Sequence, residues 1–121
     1  MEGFFPWDFT VVPAKFHLFA SAAGYTLYIT TLGILAGIIT GLVVALAKIS
    51  KRKALNKLAS VYIFVIRGTP LLLQLFIIYY GMTAIVTVPP LASAVIALGI
   101  HNGAYIAEIF RGAIQSIDYG Q

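Results

Sequence analysis

Residues 16–47 read FHLFASAAGYTLYITTLGILAGIITGLVVALA, and none of them is Asp, Glu, Lys or Arg. A helix rising 1.5 Å per residue needs about 20 residues to cross a hydrocarbon core of roughly 30 Å. This run of 32 residues therefore holds one membrane span with residues to spare. A second uncharged run covers residues 68–107, 40 residues, which is room for two spans if the chain turns in the middle. Thr87-Val88-Pro89-Pro90 supplies that turn, because two successive prolines cannot continue a helix. The expectation is an all-α membrane protein with three transmembrane helices, at residues 24–47, 69–86 and 91–110.

Composition agrees with the patterning. Of the 121 residues, 60% are hydrophobic and 10% are charged, against about 25% charged in a typical soluble domain. So little charge excludes a soluble globular domain, and so much apolar surface excludes a disordered chain. Three spans leave no room for a separate soluble domain.

The net charge of +4 is unevenly placed. Five of the eight basic residues, Lys48, Lys51, Arg52, Lys53 and Lys57, fall between the two apolar runs with no acid among them. That is where the positive-inside rule puts a cytoplasmic loop, here expected over residues 48–58. A nucleic-acid patch would come with a soluble fold around it, so no nucleic acid is expected. Residues 1–20 form the external or interfacial entry segment, with Trp7 as a headgroup-level anchor. Glu2 and Asp8 make that tail mildly acidic, and it lacks the basic start of a secretory signal. The N-terminus is expected outside.

Glycines mark packing faces. Gly33, Gly37 and Gly41 recur every four residues in the first span, as Gly99, Gly103 and Ala107 do in the third. Such spacing puts small residues on one helix face, where another backbone can approach closely. Polar residues inside the spans are fewer. Gln74 lies in the second, and His101 and Asn102 lie near the expected midplane of the third. Ionisable and polar groups at that depth point to a substrate path. The alternative is hydrogen bonding between neighbouring helices, and both readings stand. Glu108 and Arg111, three apart, are spaced to pair where the third span reaches the cytoplasm. Between the basic loop and the second span, residues 59–67 read as an interfacial helix start, broken at Gly68-Thr69-Pro70.

Several chemistries find no residues to carry them. Cysteine is absent, and the four acids, Glu2, Asp8, Glu108 and Asp118, form no carboxylate pair. His17 and His101 are far apart and have no metal-ligand spacing. The sequence has no Walker-type phosphate loop. No metal or cofactor is expected, and the energy for any transport must come from a gradient or a partner ATPase.

Two segments carry a family resemblance. Arg67-Gly68-Thr69-Pro70-Leu71-Leu72-Leu73-Gln74-Leu75 resembles the start of the second core helix of polar amino-acid ABC transporter permeases. Gly103-Ala104-Tyr105-Ile106-Ala107-Glu108-Ile109-Phe110-Arg111-Gly112-Ala113-Ile114 resembles the end of their third. Ser116 to Gln121 is similar to the approach to the family's cytoplasmic coupling motif, and Gly24-Tyr25-Thr26-Leu27 is similar to the opening of its first span. The resemblance implies a permease core of about five spans in a bacterial plasma (inner) membrane. It implies a translocation path for a polar amino acid, formed with a second permease subunit. ATP-binding cassette ATPase subunits would drive it, and an extracellular or periplasmic solute-binding protein would deliver the cargo. Glu108, Arg111, Gly112, Gly120 and Gln121 would form the approach to the coupling region. In the family a Glu-Ala-Ala segment and further spans follow Gly-Gln, so residues 21–121 are expected to be the N-terminal part of such a domain. The competing readings are a permease for another small solute and a small non-transporting assembly subunit.

Overall fold

A computed structural model describes residues 9–117, the side chain of Ala84 excepted. Among the described residues the chain is helical throughout, with no strand. A single turn, α1 (Val11–Ala14), leads into α2 (Phe16–Ile49). Then come α3 (Lys53–Gly68), α4 (Leu71–Tyr79), a 3-10 turn (Gly81–Ala84) and α5 (Pro90–Gln115). By length and composition α2 and α5 can each cross a membrane, and α3 with α4 can form one further, broken span.

The bounds differ from the sequence expectation in four places. Helix α2 begins eight residues before residue 24, because nothing between Lys15 and Ser50 breaks a helix. The basic segment is helical from Lys53 onward, and the loop shrinks to residues 50–52. Charge pattern places a segment at the membrane surface, and a surface helix meets that condition as well as a loop. The third difference is the break at Thr69-Pro70. Both residues are extended (ψ 142° and 140°), and the helices on either side bend by 104°. Proline removes a backbone donor and disfavours helix at the residue before it, so the chain reorients where a mild kink was expected. Helix α4 then runs for nine residues, about 14 Å, and gives way to the 3-10 turn at Gly81. Finally, α5 continues five residues past residue 110.

The centre of the molecule is the crossing of α2 and α5. Gly33, Gly37, Gly41 and Ala45 are the buried residues of α2, and Gly99, Gly103, Ala104 and Ala107 are among those of α5. The two small-residue faces meet each other. A Cβ added at Gly37 would lie 2.8 Å from the Asn102 Cβ, and one at Gly103 would lie 2.8 Å from the Thr40 Cβ. With so little side chain between them, the backbones approach as they do in other small-residue membrane interfaces.

Helix α3 lies across this pair. Its buried face is Ala59 and Ile63, and Ile63 packs with Ala45 and Ala107. Tyr62 donates its hydroxyl to the Ile100 carbonyl of α5 at 2.5 Å. The corner with α2 is stitched by Asn56, whose amide donates to the Lys48 carbonyl, and by Lys48, which donates to the Ser60 hydroxyl. Asn56 thereby satisfies one of the carbonyls that every helix C-terminus leaves open. Large apolar side chains point outward, with Phe64 81% and Ile85 88% exposed, which inverts the pattern of a soluble core.

Candidate functional site

On α5 the face that meets α2 carries residues 99, 103 and 107. Two positions further on, the helix has turned about 200°. His101 and Tyr105 therefore stand on the opposite side, with Glu108 one turn beyond, at the spacing i, i+4, i+7 of a single face. This face looks toward α3 and α4, and Gln74 and Arg67 reach it from those helices.

At its membrane-buried end, Gln74 and His101 meet. Gln74, 8% exposed, reaches from α4 so that its Oε1 lies 3.3 Å from His101 Nδ1. Its amide nitrogen donates back to the broken end of α3. The acceptors are Thr69 Oγ1 at 2.8 Å, the Ile66 carbonyl at 2.9 Å and the Thr69 carbonyl at 3.3 Å. Irregular backbone at membrane depth is tolerated only where its polar groups are satisfied, and one side chain does much of that here.

One turn further on, the His101 ring lies 5.2 Å from the Tyr105 ring, and the Arg67 guanidinium sits 5.1 Å over the other aromatic's centre. The quadrupole of an aromatic face attracts a cation in that position. Among the described residues Arg67 forms no ion pair. Glu108 does: its Oε2 accepts from Arg111 Nη2 at 2.7 Å and Nε at 3.1 Å. Arg111 continues to Gln115 Oε1 at 2.7 Å. Ser60, Arg67, Tyr105 and Glu108 line an open groove of about 510 Å³ between α3 and α5.

The structure thus brings Gln74 and His101 together and separates them from Asn102. Asn102 lies on the side of α5 that faces α2, its Cβ against Gly37. It makes no side-chain hydrogen bond among the described residues. The six small residues named from spacing all lie on the α2–α5 crossing, where Gly33 meets Leu98, Gly99 meets Ala36 and Gly41 meets Ile106 and Ala107, while Gly112 has open space where a Cβ would stand. Gly120 and Gln121 lie outside the described residues, as does Trp7. Sequence reading missed Tyr105 and Arg67 as members of the site. The signal for Tyr105 was its place four residues after His101. Arg67 joins only through the packing of α3 on α5. No three His, Cys, Asp or Glu side chains gather into a metal-binding group among the described residues.

Apolar membrane-length helices that close on one another through small residues, one of them turning a polar face to α3 and α4, define an integral membrane protein of the helical class. The chain belongs to the family described as binding-protein-dependent transport system inner membrane component, whose model matches residues 33–121. It is 44% identical over 117 residues to the L-cystine transport system permease protein TcyB of Bacillus subtilis (strain 168), covering 96% of this chain and 50% of that protein. It is 36% identical over 117 residues to the glutamine transport system permease protein GlnP of Escherichia coli (strain K12), covering 94% and 53%. The nopaline transport system permease protein NocM of Agrobacterium fabrum is 34% identical over 125 residues, covering 94% and 52%. A solved structure described as an amino acid ABC transporter with histidines superposes with a TM-score of 0.88 at 42% identity, covering 94% of this chain and 54% of that one. The chain spans about half the length of the curated relatives it matches. The resemblance read from residues 67–75 and 103–114 is borne out. Relatives of this kind are permease subunits and not enzymes themselves.

Proposed function

We propose that this chain supplies transmembrane core to the permease subunit of an ATP-driven importer that moves a polar amino acid across the cell membrane. The observation that carries the reading is the polar line of Gln74, His101, Tyr105 and Arg67 where three largely apolar helices, α3, α4 and α5, meet. Polar and charged groups at such depth are costly and mark pathways by default. Arg67, free of an ion pair among the described residues, suits a carboxylate, and His101 suits a polar or ammonium group. The partners are ATP-binding cassette subunits on the cytoplasmic side, a solute-binding protein outside and a second permease subunit across the path. Residues 48–57 then face the cytoplasm and the N-terminus faces outward, in keeping with the positive-inside rule.

The test is uptake. The gene product that carries these residues is reconstituted with its ATPase and binding protein in liposomes, and labelled glutamine, cystine and arginine are offered singly. ATP-dependent accumulation of at least one is expected, and none with any of the three would overturn the reading. A second reading, import of an opine-like solute, is favoured by the 34% identity to a nopaline permease. It predicts uptake of opines in place of the common amino acids.

A further inference from the structure

The hydrogen bonds of Gln74 decide where the proton of His101 sits. The Gln74 amide nitrogen faces the carbonyls of Ile66 and Thr69 and the hydroxyl oxygen of Thr69. That hydroxyl spends its own proton on the Val65 carbonyl at 2.9 Å, so toward Gln74 it accepts. All three neighbours are therefore acceptors, and an amide turned the other way would press its oxygen against two carbonyl oxygens. Hence Oε1 faces His101, and a carbonyl oxygen only accepts. Nδ1 of His101 must carry the hydrogen.

A neutral imidazole has one N–H. With Nδ1 protonated, Nε2 holds a bare lone pair, and among the described residues nothing donates to it. His101 is half-buried and touches the ring of Tyr105, which lines the groove between α3 and α5. We propose that Gln74 is a positioning residue that fixes His101 as the Nδ1–H tautomer, so that Nε2 accepts a hydrogen bond from an ammonium or amide N–H of the transported solute. The inference rests on the transport reading above and adds the group of the cargo that is recognised. The same amide that holds the break between α3 and α4 thus sets the polarity of the site, and cargo contact and helix break share one side chain.

Two substitutions separate this role from a structural one. The amide of Asn reaches the place of Nδ1, and that of Gln reaches the place of Nε2. His101→Asn keeps a donor toward Gln74 but loses the acceptor. Its protein level should match the unaltered protein while the KM for uptake rises about tenfold, the equivalent of one hydrogen bond. His101→Gln returns a carbonyl oxygen to the Nε2 position and should recover most of that loss. If His101 only braces the helices, the order reverses, with Asn transporting normally and Gln failing, and the proposal is wrong. Nitrogen-15 NMR of histidine-labelled protein in nanodiscs reads the tautomer directly, His101 being assigned as the signal lost in His101→Asn. With the ring neutral, the Nδ1–H pattern is expected, moving toward Nε2–H in Gln74→Met. An Nε2–H pattern in the unaltered protein, or no change in Gln74→Met, overturns the lock. Saturating solute should shift the Nε2 resonance, and transport without that shift overturns cargo recognition. Failure to move any amino acid, with the tautomer response intact, would instead sink the transport reading.

Discussion

Gly37 and Asn102 stand so close across the α2–α5 crossing that a methyl group on the glycine would lie 2.8 Å from the Asn102 Cβ. The Ile106 Cδ1 at 3.4 Å and the Gly103 amide nitrogen at 3.5 Å would be in ordinary contact with the same point, so it is the Asn102 Cβ that blocks it. The spacing of the glycines is thus a record of how near two main chains come.

Gly37→Leu should insert normally, since leucine suits the bilayer, and should then force α2 away from α5. A cost of about 1–3 kcal/mol is expected from overpacking. Thermal unfolding in detergent and co-purification with partner subunits would show it. Gly24→Leu is the control, because nothing lies within 4 Å of its Cβ position. Equal behaviour of the two variants would mean that the crossing is not the site of contact.

Tyr62→Phe removes the hydroxyl that α3 donates to the Ile100 carbonyl and leaves the ring in place. Bonds between membrane helices average only about 0.6 kcal/mol, so a small drop in unfolding temperature is expected, with transport kept. A loss of transport without any drop in stability would move Tyr62 from packing into the path.

For the two midplane residues the expectations now diverge. His101→Ala should lower transport more than protein level. Asn102→Ala keeps the Cβ that fits against Gly37 and loses no hydrogen bond made among the described residues, so its stability should stay within about 0.5 kcal/mol. Uptake and immunoblot signal measured side by side separate the outcomes. Equal loss of both quantities in His101→Ala would return that residue to helix glue.

Topology can be read from a chain without cysteines. Ser50→Cys should resist an impermeant thiol reagent in intact cells and Thr87→Cys should react. The opposite pattern would invert the orientation.

Different parts of this architecture were legible to different degrees. Two uncharged runs pick out α2 and α5 as membrane-length helices, because charge is costly in hydrocarbon, while the helix expected over 69–86 is the nine-residue α4 beyond a bend. The small-residue spacing named Gly33, Gly37, Gly41, Gly99, Gly103 and Ala107, since helical periodicity alone puts them on faces. That the two faces close on each other is a tertiary fact, and spacing has no access to it. Gly68-Thr69-Pro70 was readable as a break, but the bend angle of 104° was not, because a proline ends a helix without dictating the direction of the next. The pairing of Gln74 with His101 follows from that angle, and so lay beyond reach. Arg67 was not legible as a member of the site, since its partner ring on Tyr105 is 38 positions away in the chain.

The glycine seam also has a mechanical consequence. Glycine and alanine have no side-chain rotamers to exchange, and Leu98, Asn102 and Ile106 sit directly against the α2 glycines, so the crossing has few alternative packings. Helices α2 and α5 behave as one stiff strut. Compliance is expected at the three residues 68–70, tethered by the amide of Gln74, so a displacement applied to α3 should be taken up at that joint before it reaches the strut.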